Sequence, residues 1–418
     1  MLTLLIVSQE YPPETAHGGI GTQSHLKAHG MARLGHRVIV LSRAIGDVQT
    51  ETTTDDVLVI RIPGMEQVFD INTVLTDQMT YSVKVAQAIS QIHARYPLDL
   101  IDFPEYGNEG FVYLNNQDDW QKIATVVQLH GPLVMFGNAL GWPELDSEFY
   151  RVGTAMEAAC LRTASRVYSS SHCSAKWVSE HYGLNESAIP VMHTGVDTSL
   201  FYPHLSRSPG SNGSSANGFC NAAAPVILFA GNIAESKGVD ILIRAAIEVA
   251  DEFPGLSVRM FGKTKNMLAV ELQQEAVAKG FDNLFDYRGF VSREQLAREM
   301  READIFALPS DYEGGPGFVY LEAMASGLPC IGTEKSGATE AFIPGKTGLL
   351  VPPRNVPKLA DALRALLGDG PLRKSMSHAA RDFVLSNAET NICMQKIEAF
   401  YESVVRDQKQ KRVEHQSQ

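Results

Sequence analysis

The sequence has few cysteines, no long apolar segment and a shortage of positive charge. Its five cysteines are scattered along 418 residues, and without a close pair they indicate neither a zinc motif nor a redox motif. They are typical of buried, reduced thiols in a cytoplasmic protein. No apolar run approaches the roughly 18–20 residues that span a bilayer. The net charge of −12 argues against a nucleic-acid partner, because nucleic-acid-binding proteins usually carry a basic surface.

The beginning of the chain reads as a strand. Residues 2–8, LTLLIVS, are continuously apolar, as in parallel strands buried on both faces. A basic region does not precede them, and acidic residues and prolines follow within a few positions, so we interpret this stretch as a buried strand rather than a signal peptide.

Strands and helices then alternate in two halves, which predicts an α/β protein built from βαβ units. In the first half, the predicted elements include a helix over residues 22–34, a helix capped by Ser171 and a strand over residues 189–193. Between the halves, residues 205–224 are dominated by Ser, Gly, Asn and Ala. This composition predicts a flexible connector between two domains.

The stretch 304–340 carries the strongest chemical signal. A strand at 305–308 ends at Pro309, a glycine-rich loop follows at 314–317, and a helix over 320–325 is closed by Gly327. Backbone amides at the start of a helix bind anions. Glu313 and Glu322 bracket the loop, so the stretch suits a ligand with both phosphate and hydroxyl groups, such as a sugar nucleotide.

Weaker signals lie in the first half. Glycines at 18–21 follow the first strand, but the pattern is not GxGxxG, and a plain tight turn explains it equally well. His130 follows a predicted strand at 123–129, where ligands bind in open α/β sheets, although a lone His is more often structural. Residues 132–150 read as irregular, either a lid facing an acceptor or a packed loop.

The second half restarts with a strand at 226–230, a turn at 231–238 and a helix over Val239–Val249. Lys237 lies in that turn. A cation next to a glycine that opens a helix suits a phosphate, whereas an isolated surface lysine is usually a solvated charge.

These motifs resemble the donor site of the retaining glycosyltransferases of family 4. That family has a Glu-x7-Glu pair followed by a Leu-Glu-Ala-Met-Ala helix, and residues 321–327 read LEAMASG. Two departures are visible. Glu313 and Glu322 are one residue further apart than in the family, and Asn232 stands where the family has an Arg that neutralises phosphate, which removes a charge-assisted contact.

The resemblance implies an α/β fold of the GT-B type, with two Rossmann-like doubly wound domains facing across a cleft. The implied boundaries are an N-terminal acceptor domain, a linker, a donor domain, a helix that crosses back to the first domain and a polar, frayed tail. These are residues 1–204, 205–224, 225–385, 386–405 and 406–418.

The resemblance also implies roles for individual residues. The expected catalytic residues are His130, which contacts the transferred sugar, and Glu313, which holds a sugar hydroxyl. Glu322 is expected to bind the ribose and Lys237 the phosphates. The full expected donor-binding set is Gly19, Gly21, Asn232, Lys237, Val291, Gly317, Phe318, Val319 and Glu322.

The implied activity is transfer of a sugar from a nucleotide sugar to an unidentified acceptor, with retention at the anomeric carbon. No Asp-x-Asp motif follows a suitable strand, so we expect neither a metal nor another cofactor. We expect a cytoplasmic enzyme. Peripheral membrane contact stays open for a lipid acceptor, although no strongly basic amphipathic helix requires it.

Several alternatives remain at this stage. Asn232 and the longer glutamate spacing would also fit a catalytically weak partner subunit that binds a nucleotide sugar. A GT-B nucleotide-sugar epimerase or a phosphorylase-like enzyme is disfavoured by the LEAMASG helix. A glycosidase would use a carboxylate pair, but Glu322 lies inside a helix behind the loop. A dinucleotide oxidoreductase would need the missing glycine fingerprint.

Overall fold

The structure is a computed structural model that describes residues 1–15, 19–64, 73–116, 123–204, 224–264, 267–334 and 337–416. It divides into two compact units. The first unit is Met1–Gly195 together with Thr390–Gln418, and the second is Val196–Glu389. The predicted linker at 205–224 lies outside the described residues except for residue 224.

The first unit is built on a seven-stranded sheet of order β3-β4-β2-β1-β5-β6-β7. All neighbours are parallel except the pair β3 and β4. The strands are β1 Thr3–Val7, β2 Arg37–Ala44, β3 Thr50–Thr54, β4 Val57–Pro63, β5 Leu100–Pro104, β6 Ala124–Leu129 and β7 Arg166–Ser169.

Seven helices belong to the described part of this unit. They are α1 Gly19–Arg33, α2 Val74–Arg95, α3 Phe111–Asn115, α4 Leu133–Leu140, α5 Glu148–Thr163, α6 His172–Tyr182 and α13 Thr390–Gln416. Side chains of Thr73, Ser147 and Ser171 cap α2, α5 and α6 by accepting backbone N–H bonds. The cap at Ser171 confirms the predicted helix start.

The second unit is a six-stranded parallel sheet of order β10-β9-β8-β11-β12-β13. Its strands are β8 Val226–Ala230, β9 Ser257–Phe261, β10 Phe285–Tyr287, β11 Ile305–Ala307, β12 Cys330–Thr333 and β13 Gly348–Val351. Its helices are α7 Val239–Val249, α8 Leu268–Ala278, α9 Arg293–Glu302, α10 Phe318–Ala325, α11 Val356–Gly368 and α12 Gly370–Asn387.

Both sheets have the Rossmann strand order 3-2-1-4-5-6, once the antiparallel edge strand β3 is set aside. The order reverses between β1 and β5 in the first unit and between β8 and β11 in the second. In such sheets, ligands bind beyond the carboxyl ends of the strands at this switch point. The residues that follow these four strands are therefore the first place to look for a site.

The last helix corrects two predictions. It begins at Thr390 rather than 386 and continues to Gln416, so the segment predicted as a frayed tail is helical as far as it is described. Gln408 in its later part is buried, and Asp407 pairs with Arg166 at 2.8 Å. Contacts to the first unit therefore hold the polar end that composition alone marked as frayed.

Two further predictions about the first unit were wrong. Residues 132–150 are not an irregular lid, because α4 occupies Leu133–Leu140 and α5 begins at Glu148. The predicted strand at 189–193 forms only an isolated bridge between Ser169 and Val191. Pro190 has no N–H to donate, which interrupts a ladder at that position.

The elements that the sequence did not predict include β3 and α12. All five residues of β3 are exposed and polar, so the strand carries no apolar alternation. Helix α12 buries only the narrow stripe Met376, Ala380 and Val384.

The first unit ends at Gly195 rather than at the predicted residue 204, since residues from Val196 onward pack with the second unit.

Candidate donor site and the His130 edge

The turn after β8 is packed against the loop after β11 in the second unit. Gly238, the residue before α7, has a φ of 67°, and a Cβ there would lie 1.9 Å from the carbonyl oxygen of Pro309. Only glycine meets both demands. Lys237, the residue before it, is thereby held next to the loop that carries Glu313.

Lys237 and Glu313 form an ion pair. Nζ of Lys237 lies 2.6 Å from Oε1 of Glu313, and Oγ of Ser310 donates to the same oxygen at 2.6 Å. The side chains are 30% and 14% exposed, respectively, so both remain within reach of solvent. The structure brings together two residues to which the sequence assigned separate roles.

The glycine-rich loop leads directly into the start of α10. Gly317 has a φ of 62°, and a Cβ there would lie 2.8 Å from the ring of Tyr320. Phe318 and Val319 are the first residues of α10, and its first turn contains no acidic residue. Their amides precede the repeating i to i−4 bonds, so this helix start can bind an anion.

Glu322 lies in the same helix and is buried, with its carboxylate 2.8 Å from the guanidinium of Arg293. Burial raises the pKa of Glu322, and the charge of Arg293 acts in the opposite direction. The guanidinium also lies over the ring of Phe201, 5.3 Å from its centroid. Sequence reasoning missed Arg293, although it lies only two residues after the predicted site residue Val291.

The two remaining predicted donor-site residues of the second unit lie in the loops after β8 and after β10. Asn232 is exposed after β8, and Val291 is half-buried between β10 and α9. Beside Val291, the ring of Phe290 is exposed, with Nζ of Lys263 5.1 Å from its centroid. Lys263 adds a cation near these loops that the sequence analysis did not single out.

Gly19 and Gly21 lie within α1, which begins at Gly19, rather than in a loop before the helix. A Cβ at Gly21 would lie 3.2 Å from the carbonyl oxygen of Glu10. No atom would lie within 4 Å of a Cβ at Gly19. Close packing therefore favours glycine at Gly21 but not at Gly19.

His130 follows β6, as predicted. Burial and the charge of Lys27 lower the pKa of His130 to about 3, so its imidazole is neutral at physiological pH. Nζ of Lys27 donates to Asp102 at 2.5 Å and to Gln128 at 2.7 Å. The backbone N–H groups of His130 and Gly131 both donate to the buried carboxylate of Glu105.

Within the part of the chain that the structure describes, no group of three or more His, Cys, Asp or Glu residues is placed to hold a metal ion. None of the helices in the described ranges is both long and apolar enough to cross a membrane.

Two protein families match the chain. The model "Glycosyl transferases group 1" matches residues 218–383, and the model "Glycosyltransferase Family 4" matches residues 17–200. The chain belongs to these group 1 and family 4 glycosyltransferases. As a glycosyltransferase of this kind, it transfers a sugar from a nucleotide-sugar donor to an acceptor.

Curated relatives agree with this assignment. The chain is 26% identical over 401 residues to glycogen synthase of Mycobacterium tuberculosis (strain H37Rv), covering 92% of this chain and 91% of that protein. It is 32% identical over 220 residues to D-inositol 3-phosphate glycosyltransferase of Arthrobacter sp. (strain FB24), covering 52% and 51%, respectively.

Solved structures show the same fold. Sucrose-phosphate synthase from Thermosynechococcus elongatus has a TM-score of 0.76 at 20% identity, over 97% of this chain and 100% of that one. Anabaena HepE in complex with UDP and glucose has a TM-score of 0.71 at 20% identity, over 96% and 100%. Together with the two Rossmann-like sheets, they confirm the predicted GT-B fold.

Proposed function

We propose that this glycosyltransferase binds the diphosphate of its donor at the start of α10 and transfers the sugar with retention, without a metal ion. One observation carries the proposal. Gly317, with a φ of 62°, opens a helix whose first turn lacks acidic residues, in the loop that also carries Glu313 of the Lys237–Glu313 pair. Helix amides and a lysine are the groups that bind phosphate oxygens in proteins.

The Lys237–Glu313 pair gives donor binding a specific first step. A diphosphate carries more charge than one carboxylate, so it would compete with Glu313 for the ammonium group of Lys237. The released carboxylate of Glu313 could then accept a hydrogen bond from a sugar hydroxyl. Binding of the phosphates and orientation of the sugar would be linked through one contact.

Glu322 is proposed to accept hydrogen bonds from the ribose hydroxyls. Its pairing with Arg293 supports this role, because an ionised carboxylate accepts such bonds better than a neutral carboxyl. Backbone groups around Val291 are proposed to hold the base. Asn232 is proposed to donate a neutral hydrogen bond to a phosphate.

In the first unit, His130 is proposed to contact the transferred sugar as a neutral imidazole, and the start of α1 with Gly19 and Gly21 to approach the donor phosphates. As the bond to the diphosphate breaks, negative charge grows on phosphate oxygens and positive charge on the sugar ring. Lys237 and the amides of Phe318 and Val319 would stabilise the negative charge.

The metal-free mechanism rests on this supply of positive groups and on the absence of an Asp-x-Asp motif after a suitable strand in the sequence. We also propose a cytoplasmic location, which the five scattered cysteines support. The acceptor is proposed to be a hydroxyl compound. We also propose that water takes its place when the donor is supplied alone, which gives an assay of donor hydrolysis.

Proton NMR of the first product released from UDP-, GDP- and ADP-glucose tests the proposal. The reactions are run in EDTA and, as a matched control, in Mg²⁺. We expect one donor to be consumed equally in both, and its glucose to appear first with the donor's anomeric configuration. An inverted product would contradict retention, and a requirement for Mg²⁺ would contradict metal independence.

A further inference from the structure

Two buried glutamates hold the backbone segment that carries His130. The N–H groups of His130 and Gly131 donate to Oε1 of Glu105 at 2.6 and 2.5 Å. Pro132 has no N–H. The N–H of Leu133 donates to the two carboxylate oxygens of Glu157 at 2.9 and 3.1 Å. Every N–H group from 130 to 133 is therefore bound by a buried carboxylate.

Burial of these two carboxylates lowers the stability of the folded protein. Glu105 and Glu157 are 1% and 2% exposed. Burial raises the pKa of Glu105 to about 7, and burial with the charge of Glu105 raises the pKa of Glu157 to about 8. A glutamine could accept an amide bond in either place without burying a charge. The choice of carboxylates thus calls for a role beyond filling space.

Glu157 has a local explanation. It binds the first N–H of α4, where the helix dipole favours a negative charge, and it also accepts a bond from the hydroxyl of Tyr182. Glu105 has no helix to cap. Both of its amide partners precede α4 and belong to the residues next to the end of β6.

We propose that Glu105 is a positioning residue for sugar transfer, which fixes the backbone at His130 and Gly131 so that the His130 imidazole keeps one orientation beyond β6. Glu157 supports it by holding the next amide. The inference rests on the proposed function, which gives His130 its contact with the sugar.

The two bonds from the N–H groups of His130 and Gly131 to Glu105 form a clamp, and the geometry explains why this clamp is needed. A glycine follows His130 directly, and glycine leaves the backbone more conformational freedom than any other residue. A Cβ at Gly131 would lie 2.5 Å from the ring of Phe136, so a stiffer residue does not fit there. A misplacement of about 1 Å at a reacting group can reduce a rate roughly 100-fold.

Other charged groups act on Glu105. Lys27 interacts with it across the buried cluster formed with Asp102, and Glu157 and Tyr106 interact with it from α5 and from the adjoining loop. Both clamp bonds end on Oε1, whereas Oε2 has no hydrogen-bond partner among the described residues. A proton at Oε2 would leave Oε1 as a weaker, neutral acceptor. The clamp should therefore loosen as pH falls below about 7.

The test compares Glu105→Gln with wild type and with Glu180→Gln, a control on the exposed face of α6. Donor hydrolysis is followed from pH 5.5 to 9 with the nucleotide sugar that wild type consumes. Wild type should lose activity as pH falls below about 7. For Glu105→Gln we expect kcat to fall roughly 10- to 100-fold, this loss of activity at acidic pH to disappear, and the Kd of the nucleoside diphosphate to stay within about twofold. An unchanged kcat, or the same loss of activity at acidic pH as in wild type, would overturn the proposal.

Hydrogen exchange gives a second readout that needs no substrate. Amides of residues 130 and 131 should exchange faster in Glu105→Gln than in wild type, while β1 stays protected in both. If the variant does not fold, wild type is compared at pH 6 and pH 8 after correction for intrinsic rates, and protection of these two amides should be lower at pH 6. Equal protection would overturn the role of Glu105. Absence of any transfer by wild type would instead overturn the proposed function.

Discussion

Nζ of Lys237 lies 2.6 Å from Oε1 of Glu313, although the two residues are 76 positions apart in the sequence. The contact joins the turn after β8 to the loop after β11, on either side of the switch point of the second sheet. A cation and a carboxylate that were assigned to different parts of a donor thus neutralise each other. Donor binding should therefore depend on exchange of this contact.

Glu313→Gln should separate binding from catalysis. The substitution removes the negative charge that holds Lys237, so the affinity for a nucleoside diphosphate should be unchanged or up to a few-fold tighter. The rate should fall, because the carboxylate no longer accepts a sugar hydroxyl; loss of one such charged hydrogen bond is worth about 1.5–3 kcal/mol. Calorimetry gives the Kd and donor hydrolysis gives kcat. A weaker Kd with normal kcat would be the opposite of this expectation.

Arg293→Ala should make nucleotide affinity depend on pH. Removing Arg293 takes away the charge that opposes the effect of burial on Glu322, so the pKa of Glu322 should rise further. A neutral Glu322 accepts ribose hydrogen bonds less well, and affinity should recover as pH rises. The Kd is measured between pH 6 and pH 9. Arg298→Ala, at an exposed position on the same helix, serves as the control.

Gly317→Ala should weaken nucleotide binding beyond its effect on stability. The position has a φ of 62°, and the new methyl group would meet the ring of Tyr320. A residue other than glycine in this conformation costs about 1–3 kcal/mol. Gly280→Ala is a matched control, because its φ is 87° and nothing lies within 4 Å of the new Cβ. Both variants should melt at lower temperature, and only Gly317→Ala should raise the Kd.

Glu109→Gln should change how stability depends on pH. Burial raises the pKa of Glu109 from its ordinary value of 4.5 to about 8. The folded protein therefore holds this proton more tightly than the unfolded chain, and wild type loses stability as pH rises from about 4.5 to about 8. Each unit of such a shift corresponds to about 1.4 kcal/mol.

Thermal melts of Glu109→Gln and wild type at pH 5 and pH 8.5 check the direction in which stability changes with pH. The glutamine retains an oxygen to accept the N–H of Gln9, which the glutamate binds at 3.0 Å. The variant should gain stability relative to wild type between the two pH values. A loss over that interval would show that Glu109 is ionised in the folded protein.

Sequence patterns predicted best those elements whose signals are local. The helix over Val239–Val249 has the bounds given by its apolar periodicity. Helix α4 escaped prediction because its first residue follows Pro132 without a side-chain cap, and because Gly137 interrupts an otherwise apolar run. There the stabilising carboxylate comes from Glu157, which lies 24 positions further along.

In the candidate site, too, only the residues with local sequence signals were predicted. Motifs identified Lys237, Glu313, Glu322 and His130 one at a time. Their partners came only from the folded structure, since Arg293 reaches Glu322 from a different helix and Glu105 binds amides 25 and 26 residues away. Contacts of that sequence separation leave no local pattern, and no periodicity predicts which charges will be buried.

The central claim is that the start of α10 and Lys237 bind a nucleoside diphosphate. Its most direct test is a thermal-shift titration of wild type and Lys237→Ala with UDP, GDP and ADP in EDTA. Lys358→Ala, which removes a surface ion pair in the same unit, is the control. Ligand at 100 times its Kd stabilises a fold by about 2.7 kcal/mol. We predict a shift with one base, abolished or strongly reduced in Lys237→Ala and retained in Lys358→Ala. No shift with any nucleotide, or an equal shift in Lys237→Ala, would contradict the account.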